Sequence, residues 1–204
     1  LAGVAIAAKA RRPDIKIIAV EAAAAASFTA SLAAGKPVDA PVRPTLADGL
    51  AVGRVGERAF ALAAPRVDRV LTVDEQLLSL AVLRLLELEK TSCEGAGAAA
   101  LAAIMGAAGQ DLKGLKVVLL LCGGNIDPTV LHRVIDHGLA VDGRLWRFTA
   151  TVSDRPGGMA RLTQVIADAG ASVLEINHDR AFSGPEVFST TVEVTVETAD
   201  QDHI

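Results

Sequence analysis

The sequence predicts an α/β unit with a mainly parallel sheet, followed by a β-α-β-β unit that amounts to half of a ferredoxin-like sandwich. Three observations carry this. First, apolar, β-branched runs at 15–21, 69–73 and 116–122 alternate with helix-periodic segments, as parallel strands joined by helical crossovers do. Second, beyond Asp127 the pattern changes to long alternating strands around a single helix. Third, 204 residues with 51% hydrophobic and 22% charged side chains can bury a core, as one large domain or two small ones.

Element by element, Leu1, Val4, Ala5 and Ala8 stand at helical spacing, and Pro13-Asp14 ends that helix. IKIIAVE (15–21) reads as a strand buried on both faces. An alanine-rich helix follows over 22–34, ended by Gly35-Lys36-Pro37. Pro37, Pro41 and Pro44 predict a loop that closes at TLADG (45–49), and 53–64 reads as a short helix ended by Pro65. RVLTV (69–73) is a strand, and Asp74 caps a helix over 75–89. A turn at 90–94 leads to a helix of small residues over 95–108, and KVVLLLC (116–122) is the third buried strand. A connecting helix over 130–138 and a turn at Asp142-Gly143 come next. The strand 147–154 places Phe148, Ala150 and Val152 on one face. A loop at 155–158, a helix over 159–169, a strand over 172–180, a turn at Ser183-Gly184-Pro185 and a strand over 187–197 complete the chain.

Charge and composition exclude several classes. Residues 142–204 carry ten acidic and five basic side chains, while the remainder balances to +1 within a net charge of −4. With no basic face and 3% aromatics, nucleic acid is not an expected partner. The apolar runs fall short of the roughly 20 residues of a membrane helix, so no membrane partner is expected either. Cys93 and Cys122 lack CxxC spacing, which disfavours a disulfide framework or zinc site. No basic-then-apolar leader opens the chain, and a cytoplasmic location is expected. Leu1 opens on a helix already under way, and the chain stops where a helix cap begins. The expectation is a segment of a longer protein, cut at both ends.

Ligands of parallel sheets sit at the carboxyl ends of strands, here Glu21, Val73-Asp74 and Cys122-Gly123-Gly124. Paired glycines after a small polar side chain let a flat ligand approach the backbone; a core cysteine followed by a turn explains the same residues. A nucleophilic role for the cysteine is disfavoured, since no histidine is placed as its base. Glu94, before the helix of tiny residues, reads as a cap on the helix dipole or as a pocket acid, with the cap favoured.

TLADGLAV, SCEGAGAAALAA and LLLCGGNID, in this order and at these separations, resemble the threonine ammonia-lyase (threonine dehydratase) family. These are pyridoxal-phosphate enzymes of fold type II, the tryptophan synthase β-like class that also holds serine racemase. LAGVAIAAKA resembles the helix after that family's glycine-rich phosphate loop. RFTATVSDRPGGMARLTQVIADAGASVLEINHDR resembles the ACT regulatory domain attached to many of these lyases. The resemblance implies domains at 1–140 (lyase, C-terminal part) and 145–204 (ACT, incomplete).

It also implies roles. Cys122 stands where a neutral side chain partners the pyridine nitrogen of pyridoxal 5′-phosphate, which suits β-elimination. Gly123 and Gly124 flank the ring, Gly49 lies near its other edge, and Glu94 matches an acid of the pocket. The implied reaction converts L-threonine to 2-oxobutanoate and ammonia. L-serine is an alternative substrate, and serine dehydratase or serine racemase activity an alternative reading. The Schiff-base lysine belongs to a Ser-x-Lys-x-Arg-Gly context that none of Lys9, Lys16, Lys36, Lys90, Lys113 and Lys116 has. No catalytic residue is therefore assigned, and this segment alone is expected to be inactive. Relatives that bind a divalent cation use a glutamate, a carbonyl and an aspartate where Glu21, Ala25 and Ser27 stand; the hydroxyl removes a charged hard ligand, so no metal is expected.

In the ACT-like part, Asp154, Arg155, Gly157 and Gly158 at the strand-to-helix turn and Asn177 on the next strand are the effector-binding candidates. The implied effector is isoleucine or valine; a Pro-Gly turn that merely fixes geometry accounts for the same residues. His178-Asp179-Arg180 marks the lyase-attached subtype, His132 and His137 are expected to be solvated, and a homo-oligomer is implied. The competing class is a non-catalytic amino-acid-sensing module. Nucleotide binding is disfavoured for want of a G-x-G-x-x-G after a strand.

Overall fold

A computed structural model describes residues 1–106, 108–179 and 188–204. They form two units, Leu1–Ile135 and Asp136–Ile204. The turn expected at 183–185, Arg180, and the expected strand start at Val187 lie outside the described residues.

The first unit opens with α1 (Ala2–Arg11), β1 (Ile18–Ala22) and α2 (Ser27–Ala34). α3 (Glu57–Ala63), β2 (Arg69–Val73), α4 (Glu75–Leu88), α5 (Gly95–Met105) and α6 (Ala108–Asp111) follow, and α7 (Pro128–Val141) begins here. β1 and β2 pair in parallel, with Ile18 opposite Arg69 and Ala22 opposite Val73. Helices cover both faces of this pair. On one, Val20, Ala22, Leu71 and Val73 pack with Leu78, Val82 and Leu85 of α4 and Ala98 and Ala102 of α5. On the other, Ala19 and Val70 pack with Phe28 of α2 and Phe60 of α3, whose rings meet edge-on at 5.9 Å.

Three expectations need correction. The run 116–122 forms no strand and is largely exposed, with Val118 at 83%. A strand exists only when a neighbour takes up its N–H and C=O groups, and no described strand lies alongside. β1 and β2 are accordingly each paired on one side only among the described residues, and only partly buried. The helix expected from Ala22 starts at Ser27 instead. Glu21 reaches forward to accept the amides of Phe28 (2.7 Å) and Thr29 (2.8 Å) and the Thr29 hydroxyl (2.7 Å), which sets the first turn there. The helix expected from Gly53 starts at Glu57, because the Gly53 carbonyl is taken by the Ala40 amide at 2.8 Å and Gly56 stays extended.

Caps fix the other helices. Asp74 accepts from the Leu77 amide at 2.9 Å to start α4. Asp127 accepts from Thr129 (2.8 Å) and Val130 (3.4 Å) to start α7, with Pro128 at the first helical position. Those amides, Thr129's first, hold the Asp127 carboxyl below the usual carboxylate range.

The second unit holds the end of α7, then β3 (Leu145–Ser153), α8 (Gly158–Asp168), β4 (Ser172–Asp179) and β5 (Ser189–Glu197). The sheet order is β3-β5-β4, with β5 antiparallel to both neighbours. It is a split β-α-β unit with a third strand inserted. Trp146, Phe148, Ala150 and Val152 share a face with Ile176, Val192, Val194 and Val196, packed on Met159, Leu162 and Ile166 of α8. Arg147 lies on the opposite face, donating to the Thr195 hydroxyl at 3.0 Å and facing Glu175 and Glu193 at 3.9 and 3.8 Å.

Asp68 ties three elements of the first unit together. Its carboxylate accepts from the Ile17 amide (2.8 Å) and from Lys9 (3.0 Å) and Lys16 (3.2 Å). The Ile17 amide first, then Lys9, holds this carboxyl far below the ordinary carboxylate range. The unfolded chain therefore takes up the proton first as pH falls. The stabilisation is complete above about pH 4 and is lost as pH drops from there through the lower folded value. Asp68→Asn is expected to be less stable at neutral pH and to lose less on acidification than the wild type, read by urea melts across the acid range.

Candidate functional site

The N-terminus of α5 gathers the candidate residues of the first unit. Four of its first positions are Gly95, Ala96, Gly97 and Ala98, so other backbone can approach closely. A Cβ at Gly95 would come within 2.5 Å of the Leu46 carbonyl oxygen. One at Gly97 would strike the Cys122 carbonyl oxygen and lie 2.6 Å from the Cys93 sulfur. Three loops thus meet at one helix end: 45–49, 92–94 and 122–124.

Each loop is held by its own bonds. The Leu46 amide donates to Glu75 Oε2 at 2.7 Å, Ala47 to Thr45 Oγ1 at 3.1 Å, and Gly49 to Asp48 Oδ1 at 2.7 Å. At the other loop, the Gly123 carbonyl accepts from the Glu94 amide and the Cys93 thiol, both at 3.2 Å. Gly123 has φ +91°, a conformation L side chains rarely adopt, and a Cβ there would collide with Glu94 Oε1. A Cβ at Gly49 would lie 3.8 Å from the same oxygen, and one at Gly124 would lie 3.0 Å from the Ser92 carbonyl. Cys122 is exposed and Cys93 buried. Burial, then the charge of Glu94 and the neighbouring Cys122, pushes the Cys93 thiol up, so it stays protonated.

The structure therefore brings Gly49, Glu94, Cys122, Gly123 and Gly124 together. Glu94 occupies the N-cap position, where the favoured reading of an acid on the helix dipole puts it, but its side chain makes no capping bond. The carboxylate lies instead against Gly123 and Gly49. Glu21 is engaged as the cap of α2, and no cluster of metal-ligating residues occurs among the described residues. Lys9 and Lys16, both bonded to Asp68, serve structure.

In the second unit, Gly157 (φ +95°) is the N-cap of α8, and a Cβ at Gly158 would strike the Ser153 carbonyl. Asp154 donates its amide to Phe188 at 2.9 Å and faces His178 Nε2 at 3.8 Å, while Arg155 stacks over the Phe188 ring at 4.7 Å. Asn177 stands apart. Its neighbour Ile176 faces the core, so Asn177 points to the other face of the sheet, opposite Glu193 and four residues along β5 from Ser189. His132 and His137 are exposed on α7.

A family model described as pyridoxal-phosphate dependent enzyme matches residues 1–123. The chain belongs to this family. It is 41% identical to the L-threonine ammonia-lyase of Geobacter sulfurreducens and 37% identical to that of Thermotoga maritima, each over all 204 residues and 50% of the relative. The chain thus spans about half the length of these curated relatives. Among solved structures, the processed form of threonine deaminase isoform 2 from Solanum lycopersicum is similar over 67% of this chain and 40% of that one, with 34% identity and a TM-score of 0.63.

The family's cofactor is pyridoxal 5′-phosphate, and the residues present suit the ring side of such a group. A flat ring needs a wall without side chains and a small polar group at its edge, and Gly123-Gly124 and the exposed Cys122 are residues of those kinds. The sequence marks Gly97 as part of a close-packing helix start but gives Cys93 no role. The glycine spacing in Gly95-Ala96-Gly97 was the available signal, since two glycines in a helix's first turn cost stability unless backbone approaches there. Gly97→Ala would push the added methyl into the Cys122 carbonyl, which is backbone and cannot swing away. A loss of about 1–3 kcal/mol is expected, read by chemical denaturation.

Proposed function

We propose that this chain is part of a pyridoxal-phosphate-dependent L-threonine ammonia-lyase, carrying the ring-side wall of the cofactor site and an attached ACT regulatory unit. The supporting observation is the convergence of Gly49, Glu94, Cys122, Gly123 and Gly124 at the head of α5. It occurs in a chain that aligns along its whole length with proteins named L-threonine ammonia-lyase.

Under this reading Cys122 offers a neutral thiol to the pyridine nitrogen. Gly123 and Gly124 admit the ring, the Gly49 loop borders its other edge, and Glu94 supplies the pocket's acid. The cofactor, when bound, supplies an electron sink that acidifies the substrate α-carbon and allows the β-hydroxyl to leave as water. A thiol cannot hold the ring nitrogen as an ion pair the way a carboxylate does, which favours elimination over chemistry needing a deeper sink. The Schiff-base lysine is not among the six lysines of this chain, so the segment by itself is inactive.

The lyase part covers 1–140 and the ACT part 145–204. Asp154, Arg155, Gly157 and Gly158, together at one turn, are the residues that bind isoleucine or valine, and Asn177, apart from them on the sheet, is the remaining candidate. The Gly158 amide is taken by the Arg155 carbonyl at 3.1 Å, so an effector carboxylate would be met by the amides that follow it at the start of α8. The protein works as a cytoplasmic homo-oligomer. No helix among the described residues is long and apolar enough to cross a membrane.

The test is keto-acid formation by the full-length protein with pyridoxal phosphate. L-threonine is expected to yield 2-oxobutanoate, with L-serine turned over more slowly and isoleucine or valine altering the rate. Cys122→Ala should lower kcat/KM by at least about tenfold, the effect of losing roughly 1.4 kcal/mol at the ring. Racemised serine would move the reading to a serine racemase. Isoleucine or valine binding without any keto acid would identify a non-catalytic sensing module.

A further inference from the structure

Gly123 is the pivot of the cofactor-facing turn, and its carbonyl is held from one side by two donors. The Glu94 amide reaches it at 3.2 Å from the head of α5. The Cys93 thiol reaches the same oxygen at 3.2 Å. Cys93 itself is 2% exposed and packs among Ala98, Ala99 and Leu78 of the main core, so it does not wander. Gly97 lets its sulfur and the Cys122 carbonyl both lie close to the helix. The amide of residue 94 is part of the helix start and is present whatever side chain stands nearby. Among the described residues the thiol is the one side-chain donor to this carbonyl, and the sequence could have chosen it otherwise.

We infer that Cys93 is a positioning residue: by donating to the Gly123 carbonyl it sets the plane of the 123–124 peptide and so the direction in which Cys122 is presented to the cofactor ring. The inference rests on the proposed role of Cys122 in a pyridoxal-phosphate site. Two features suit Cys93 to the task. Burial keeps it protonated and therefore a donor. Sulfur's length lets it span from a core position to a carbonyl at the surface turn while filling the space that a hydroxyl would leave partly empty. A thiol is a weak donor, but here it adds to a second bond on the same oxygen and acts on a turn whose φ of +91° leaves little room for alternatives.

The experiment compares Cys93→Ser, Cys93→Ala and Cys93→Val in the full-length holoenzyme. Serine keeps a donor and valine keeps the volume without one, so packing and hydrogen bonding separate. The readouts are pyridoxal phosphate affinity by fluorescence titration, the visible absorption band of the bound cofactor, and the split of kcat from KM. Cys93→Val and Cys93→Ala are expected to bind the cofactor several-fold to about tenfold more weakly with a displaced band and a lowered kcat, the size of one lost hydrogen bond. Cys93→Ser is expected to recover affinity to within about twofold and restore the band. If alanine fails to fold, valine against serine decides. Wild-type affinity and band in Cys93→Val would overturn the inference and leave Cys93 as core filling. A wild-type protein that binds no pyridoxal phosphate would overturn the underlying site reading itself, a result distinct from any pattern among the variants.

Discussion

Backbone lies against backbone at the head of α5, and the gathering of the candidate site residues depends on that contact. Side chains ordinarily hold a helix about 8–10 Å from whatever it packs on. Gly95 and Gly97 remove that spacer on one side of the first turn, and the carbonyls of Leu46 and Cys122 occupy the space. Two loops distant in sequence are thereby brought within reach of Glu94. The alanines that follow, buried at Ala98, Ala99, Ala102 and Ala103, keep the remaining turns equally close to α4. A larger residue anywhere along that face would lift the helix and open the site.

The parts of this arrangement that were legible in the sequence are those set by neighbours in the chain. β2 and the cap of α4 follow from the local pattern of Arg69–Asp74, and β3 follows from the alternation of Phe148, Ala150 and Val152. Cys122-Gly123-Gly124 announces itself as a turn by its glycines, although the strand expected before it is absent. What could not be read depends on distant partners. The run 116–122 has a strand's composition, yet composition does not supply the neighbouring strand that hydrogen bonding requires. Glu21 reads as a strand end, and β1 does end at Ala22, but nothing local shows that its side chain reaches forward seven residues to start α2. Cys93 looks like one of two unrelated cysteines until the helix start brings it to the Gly123 carbonyl.

The second unit shows the same division. Its core face, from Trp146 to Val152 and from Val192 to Val196, is written as strict alternation, and the structure follows it. The turn before α8 is likewise local: Gly157 needs its positive φ, and Gly158 is pressed against the Ser153 carbonyl. The position of Asn177 is not local. Its face is set by the pairing of β4 with β5 and by a register shift between Val173 and Glu175, and such an irregularity reassigns faces without any mark in composition.

Charge explains why one acid suffices at the head of α5. A helix N-terminus carries roughly half a positive charge on its unpaired amides, and Glu94 sits at that end without using its carboxylate to cap it. Its oxygens lie instead beside Gly49 and Gly123. The same carboxylate, together with burial, opposes ionisation of Cys93. Placing a negative charge here therefore keeps its neighbour a neutral donor. A second acid in place of Cys122 would add repulsion against Glu94 at short range, in a site with no lysine or arginine of the described residues bonded to it. In the proposed cofactor site, the neutrality of Cys122 serves two ends at once. It leaves the ring nitrogen without an ionic partner, as elimination chemistry favours, and it adds no second carboxylate beside Glu94.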